Sequence, residues 1–420
     1  MLTRREFSQM FLALGSAVLV PDRAKPVVIP PDVGQVNTDG RQSPDQKYDF
    51  LIKGGTVIDP SQRLHTPLDV AVTGSKIVEV AKDIPESRAV KVVSARDRIV
   101  TPGWIDLHVH CFEGIVLGIN ADHYCLSRGT TTVVENGGIG SIGLAGVIKY
   151  IVNPSITRIF VGLNIFPPGY SFRPLPDDPD AMKPELAAKA ALENKPVVVS
   201  IKAYVEKNHV GARDLESLTK AREAAEMSRL PLVADINDSF SPLPKIISKL
   251  RKGDVFSHYC SDHPHGILDA NGRILPEVLD ARARGVLFDT AEGGGQVSFE
   301  VADKCLQQNF LPDTISTDLL EINVDKRVFD LPTAVSKFMA LGMDLDQAIE
   351  RVTAKPAQIF DYGVKIGTLQ PGSEADIAIF ELRDGNFEFL GSKDSEKRTG
   401  HKMLVNKAVI CRGKYFVNAV

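Results

Sequence analysis

The sequence predicts an α/β chain, a (β/α)8 TIM barrel with a small β-sandwich domain built from both chain ends. Three observations predict it. β-branched apolar runs alternate with helical patterns through the middle of the chain, short β-type runs broken by Gly, Pro and Asp occupy both ends, and polar residues recur at one level where the apolar runs stop.

At the N-terminus, "TRREFSQMFLALGSAVLVP" sets Arg4 and Arg5 before an apolar stretch from Met10 to Val20. The pattern is that of a bacterial Tat export signal, so residues 1–24 are expected to engage the Tat machinery and deliver the chain to the periplasm or another exported compartment. The stretch is shorter than the about 20 residues a spanning helix needs, so no stable membrane span is expected unless the signal stays uncleaved. "GSA" at 15–17 is the only fair cleavage site. Residues 25–47, rich in Pro, Asp, Gly and Gln, read as a linker.

The small β domain is expected over 48–102 and 364–420, from runs such as "FLIKGGTVID", "LDVAVTGSKIVEV" and "HKMLVNKAVI". Between them, 103–363 supplies eight candidate barrel strands: 104–110, 131–135, 158–164, 197–203, 231–236, 254–259, 285–290 and 313–318. Helices are expected at 214–228, 242–252, 275–284, 299–308, 332–341 and 344–355. Eight strands over some 250 residues is barrel arithmetic. An open doubly wound sheet is the structural rival, but no Gly-rich phosphate loop follows the first strand.

A length of 420 residues exceeds the roughly 250–300 over which one core keeps growing. With 49 basic and 53 acidic residues and no long basic run, a nucleic-acid partner is not expected. The five cysteines, odd in number and in no CxxC spacing, suggest neither a disulfide framework nor a zinc knuckle. Homo-oligomerisation stays open.

The chemistry begins at "TPGWIDLHVHCFEG". Residues i and i+2 of a strand share a face, so His108 and His110 are expected to point together into the barrel, at the strand end where barrel active sites lie. Lys202 in "VVVSIKA", Asp235 in "PLVADI", His258 in "DVFSHY" and Asp318 in "DTISTD" are polar residues at the same level of otherwise apolar strands. Buried Lys and Asp need partners, so one or two positive centres at the barrel mouth would account for them together. A plain ion pair of Lys202 with Asp235 or Asp318 is the alternative.

"GWIDLHVH", "SIKA", "FSHY", "ISTD" and the longer "GILDANGRILPEVLDARARGVLFD" resemble the amidohydrolase superfamily, and within it the dihydroorotase-like amidohydrolase/deacetylase group. The resemblance runs from Tyr48 to the C-terminus. It implies a metal-dependent hydrolase of non-peptide or cyclic amides, with one or two divalent ions, zinc first. His108, His110 and Asp318 would hold the first ion, Lys202 would bridge as N6-carboxylysine, and His258 with the strand-five residue would hold the second. Asp318 would also be the catalytic base and then acid. A small-molecule amide or ester would be the substrate, and a lactonase, esterase or deaminase on the same site, or a non-catalytic metal- or ligand-binding envelope protein, are the rivals.

The chain departs from that group on one side of the barrel. Asp235 stands where the group has histidine, Tyr204 where it tends to have arginine, and Glu292 and Leu320 where it commonly has histidines. Glu135 at the second strand's end, Tyr204, Glu292, and His263 and His265 in "SDHPHGILD" are the candidate substrate-binding residues.

Overall fold

The computed structural model describes residues 47–113, 117–172, 178–324 and 326–417. The expected signal 1–24 and the linker up to residue 46 lie outside the described residues. No helix among the described residues is long and apolar enough to cross a membrane.

The first strands are β1 (Tyr48–Asp59), β2 (Leu64–Thr73), β3 (Lys76–Ala81), β4 (Ala89–Ser94) and β5 (Ile99–Pro102). After the barrel come β13 (Ile377–Leu390), β14 (Lys397–Cys411) and β15 (Lys414–Val417). The two ends join as the sequence implies, since β13 pairs antiparallel with β5 in the order β15-β14-β13-β5-β1-β2-β3, with β4 alongside β1. Hydrogen bonding makes these strands one eight-stranded sheet, where two stacked sheets were expected. Val57, Val70, Val72, Val100, Ile377 and Ile410 fill its core.

The barrel strands are β6 (Trp104–Val109), β7 (Thr130–Gly140), β8 (Arg158–Asn164), β9 (Val198–Tyr204), β10 (Leu232–Asp235), β11 (Val255–Ser257) and β12 (Leu287–Asp289). They pair in parallel and in sequence order, buried on both faces as a helix-covered parallel sheet requires. Val134, Phe160, Val199, Val233 and Val255 share a buried cluster with Phe360, Tyr362 and Ile366. Two residues along the same faces from Val233 and Val255 come Asp235 and Ser257, so the barrel changes from apolar to polar within one pleat.

The eighth strand is the main difference from expectation. Residues 314–319 close the barrel through single bridges, Asp289 to Thr314 on one side and Val109 to Leu319 on the other, without forming a regular strand. The reason is local. The Ser316 and Thr317 amides donate to side chains, to the Thr290 hydroxyl at 2.9 Å and to Asp106 Oδ1 at 3.1 Å, and such bonds compete with a regular ladder. β7 instead runs longer than expected, through Gly140, and takes in the glycines after Glu135.

Several helices start at a short side-chain acceptor. Asp330 and Asp344 each accept a 2.8 Å hydrogen bond from the amide three residues on, caps worth about 1 kcal/mol each. The helix Asp214–Ser228 spans the expected residues, whereas Leu243–Ile247 and Leu345–Glu350 are shorter than their patterns suggest. Barrel and sheet meet at Trp104, which is fully buried and stacks on Phe380 with ring centroids 4.3 Å apart.

Candidate metal centre

The six residues anticipated from the strand ends converge. His108 lies within β6 and His110 one residue past it; Lys202 lies within β9, Asp235 ends β10, His258 follows β11, and Asp318 sits in the closing segment. All six are buried. Nε2 of His110 and of His108 lie 3.1 and 3.4 Å from Asp318 Oδ1. On the other side, His258 Nε2 lies 2.6 Å from Asp235 Oδ1, and His108 Nε2 3.8 Å from Asp235 Oδ2. Two donor groups result, His108–His110–Asp318 and His108–Asp235–His258, with His108 common to both.

Lys202 Nζ reaches Asp235 Oδ2 at 2.5 Å and His108 Nε2 at 3.3 Å. Its unmodified amine therefore makes the ion pair that the sequence offers as the alternative to a carbamate.

The backbone is strained where the ligands are presented. His258, Ala291 and Asp318 adopt φ of 65°, 41° and 48°, a left-handed region costing on the order of 1–3 kcal/mol per non-glycine residue. Each has a restraint: His258 Nδ1 bonds Ala291 O at 2.6 Å, which aims Nε2 at Asp235, and the Asp318 amide donates to His108 O at 2.7 Å. Asp106, not singled out in the sequence, accepts from the Thr317 hydroxyl at 2.6 Å and from the Thr317 and His108 amides at 3.1 and 3.2 Å. It therefore staples the closing segment to β6.

Burial and crossed charges set the electrostatics. Burial would depress His258, but Asp235, Asp318 and Glu206 outweigh it and raise it to about 9. Burial would raise Asp235, but His258 and Lys202 hold it well below the usual carboxylate range. His108 is pushed well down, by burial and then by Lys202. Burial lifts Asp106 to about 7 and Asp289 to about 6 against the hydrogen bonds they accept. Glu206, two residues past β9, shares a side-chain hydrogen bond with Asp235, and burial followed by the Asp235 charge raises it to about 8. The sequence reading missed Glu206; its one signal is an acidic residue directly after "SIKAYV".

The remaining candidates are placed differently. Glu135 accepts from the amides of Cys111, Phe112 and Gly138 at 2.6, 3.1 and 2.6 Å, so its carboxylate organises the turn after His110. Tyr204 stacks on His209 at 4.1 Å, and Tyr170 stands edge-on to Tyr204 and to His110 at 5.2 Å each, giving the cluster an aromatic side. Glu292 is buried against Lys337, itself fully buried in the helix Leu331–Ala340. His263 and His265 lie half-buried on the loop after β11, His265 bonding Ser239 O at 3.1 Å, and neither joins a donor group. All five cysteines are buried and unbridged.

The donor set suits a divalent ion. Asp318 Oδ1 and Asp235 Oδ1 are buried and make no hydrogen bond of good geometry among the described residues, although both face imidazole nitrogens. Orphaned acceptors among histidine nitrogens are what a cation would satisfy.

Known proteins carry the same arrangement of chain. Residues 197–414 match the amidohydrolase family. A deacetylase of Enterococcus faecalis is 31% identical over 340 residues, covering 80% of this chain and 90% of its own. A dihydroorotase of Trichlorobacter lovleyi is 23% identical over 397 residues, covering 79% and 89%. Among solved structures, an adenine deaminase superposes with a TM-score of 0.83 at 29% identity, covering 89% of this chain and 100% of its own. A dihydroorotase shares the fold with a TM-score of 0.79 at 22% identity, covering 88% and 99%. With half of its length in the family match and a 31% identical relative along most of it, the chain belongs to the amidohydrolase family, hydrolases of carbon–nitrogen bonds other than peptide bonds.

Proposed function

We propose that this amidohydrolase removes an acyl group from, or opens the ring of, a small non-peptide amide, in the manner of a deacetylase or dihydroorotase. The observation that carries the reading is the convergence of His108, His110 and Asp318 with Asp235 and His258 at one end of the barrel. These residues would hold a divalent ion, zinc first, which when bound would supply Lewis acidity and bring the pKa of water from 15.7 towards about 7.

The chain's own residues do the rest. Asp318 takes the proton of the attacking water and returns it to the leaving nitrogen, one carboxylate serving as base and then acid. The Asp106–Thr317 staple and the hydrogen bond that the Asp318 amide donates to His108 O hold it in place. Lys202, if carboxylated on Nζ, would offer anionic oxygen donors in place of an ammonium, which cannot ligate. Carboxylation also removes the cation that faces Asp235 at 2.5 Å, so Asp235 then needs another positive partner. The Tyr170–Tyr204–His209 side gives the substrate an aromatic surface.

A panel of N-acetyl amino acids, cyclic amides, lactones and acetyl esters tests the reading. Turnover of amides above esters and lactones, dependent on added zinc and bicarbonate, is expected; no amide turnover by zinc- and bicarbonate-loaded protein would overturn it. Adenine belongs in the panel as a second reading, because the 29% identical structure that covers 89% of this chain is an adenine deaminase.

We also infer export, supported by Arg4, Arg5 and the apolar stretch to Val20 alone. Arg4→Lys with Arg5→Lys should hold the chain in the producing cell's cytoplasm, and unchanged export would overturn that inference.

A further inference from the structure

Beside the second donor group stands a carboxylate that the chemistry above does not use. Glu206 is 9% exposed and its side chain shares a hydrogen bond with that of Asp235. Backbone pairing puts it there. The Val205 amide donates to Asp235 O at 3.0 Å, the Lys207 amide to Asp238 O at 2.8 Å, and Glu206 itself forms a β-bridge with Ser239. The side chain is thus held beside Asp235 where the parallel β9–β10 ladder ends and an antiparallel bridge to Ser239 begins.

Two buried carboxyl groups face to face share a proton unless something positive lies near both. The groups facing the two carboxyls from the packed elements are His258, 2.6 Å from Asp235 Oδ1, Lys202, 2.5 Å from Asp235 Oδ2, and His209, whose Nε2 is 3.7 Å from Glu206 Oε2. Once His258 turns its nitrogen to a metal and Lys202 is carboxylated, neither offers Asp235 a cation. The buried Asp235 Oδ1, without a well-formed hydrogen bond, then points into the same space.

We propose that Glu206 belongs to the second cation position, forming with Asp235 a two-carboxylate wall that shifts its selectivity from zinc towards a harder divalent ion such as manganese. The inference rests on the metal-dependent reading above. Its chemistry is ligand hardness: imidazole suits zinc, whereas carboxylates suit manganese and magnesium. The chain has exchanged the expected strand-five histidine for Asp235 and set a second carboxylate behind it.

The test is a metal titration of the full chain, stripped of metal and kept in bicarbonate, reading free Mn2+ by its electron paramagnetic resonance signal and free Zn2+ with a chelating dye. Two ions per chain are expected. Glu206→Gln should weaken Mn2+ at the second position by about 10- to 100-fold, the range found when a partner of a metal ligand is lost, and weaken Zn2+ less. Asp235→His should move the Mn2+ to Zn2+ ratio the same way, while Glu206→Asp, which keeps the carboxylate, should retain the wild-type preference. An unchanged Mn2+ affinity and ratio in folded Glu206→Gln overturns the proposal. Should that variant not fold, an unchanged ratio in Asp235→His overturns it instead. Binding of a single ion, at the His110 side, overturns this proposal alone; binding of none overturns the metal-dependent reading itself.

Discussion

The two halves of the cluster, which share His108, are built on different principles. The His110 side is a pair of histidines one residue apart with one carboxylate, held by a hydrogen-bonded staple from Asp106 through Thr317. The Asp235 side has one histidine presented from a left-handed backbone, a carboxylate bonded to a second carboxylate, and a lysine in direct ion pairing. The first half can do its work with little adjustment. The second is charged on all sides and changes character with the state of Lys202. What departs from the resembled group, Asp235 in place of a histidine, lies in the second half.

The largest expected effect falls on the first half. Asp318→Asn keeps a side chain of the same shape but no base, so hydrolysis should drop about 100- to 10,000-fold with the fold intact. Near wild-type turnover by that variant would mean that proton transfer lies elsewhere.

Next in size is the support beneath the second half. Lys337 and Glu292 pair inside the protein, directly after Ala291, whose carbonyl orients His258. Lys337→Met leaves Glu292 buried and alone, and should cost about 3–5 kcal/mol in denaturation. It should also weaken the second metal position more than the first. Equal loss at both positions would mean that the pair holds the barrel as a whole.

The smallest effect concerns pH. Asp106 is lifted by burial to about 7 from an ordinary 3.8, so between these values the folded chain holds a proton that the unfolded chain has released. Its contribution to the metal-free protein is therefore full at low pH and is lost as pH rises towards 7. Asp106→Asn should flatten that slope in melting temperatures taken from pH 4.5 to 7.5; an unchanged slope would place its origin at another buried carboxyl, Asp289 foremost.

The sequence disclosed the first half better than the second, for physical reasons. His108, His110, Lys202, Asp235, His258 and Asp318 were legible because each interrupts an apolar run at one level of the barrel, and buried polar groups require an explanation. Strand positions were legible for the same reason, with 158–164 found residue for residue. Asp106 was hidden because a polar residue two before His108 falls in the same alternation and adds no new period. Glu206 sits past its strand, where acidic residues usually face water. Lys337 looks like the solvent side of a helix, and only the packed neighbours show it to be buried. Glu135 and Glu292 read as mouth residues from their positions at strand ends, yet backbone amides and a buried lysine occupy them.

The most direct test of the account is a crystal structure of the metal-loaded chain with anomalous diffraction at the manganese and zinc edges. Two peaks are expected, one touched by His108, His110 and Asp318, the other by His258 and Asp235 with Glu206 adjoining, and carboxylated Lys202 between them. No peak at this end of the barrel would contradict the metal-dependent mechanism, and a lone peak on the His110 side, with Lys202 still paired to Asp235, would contradict the division of the site into two working halves.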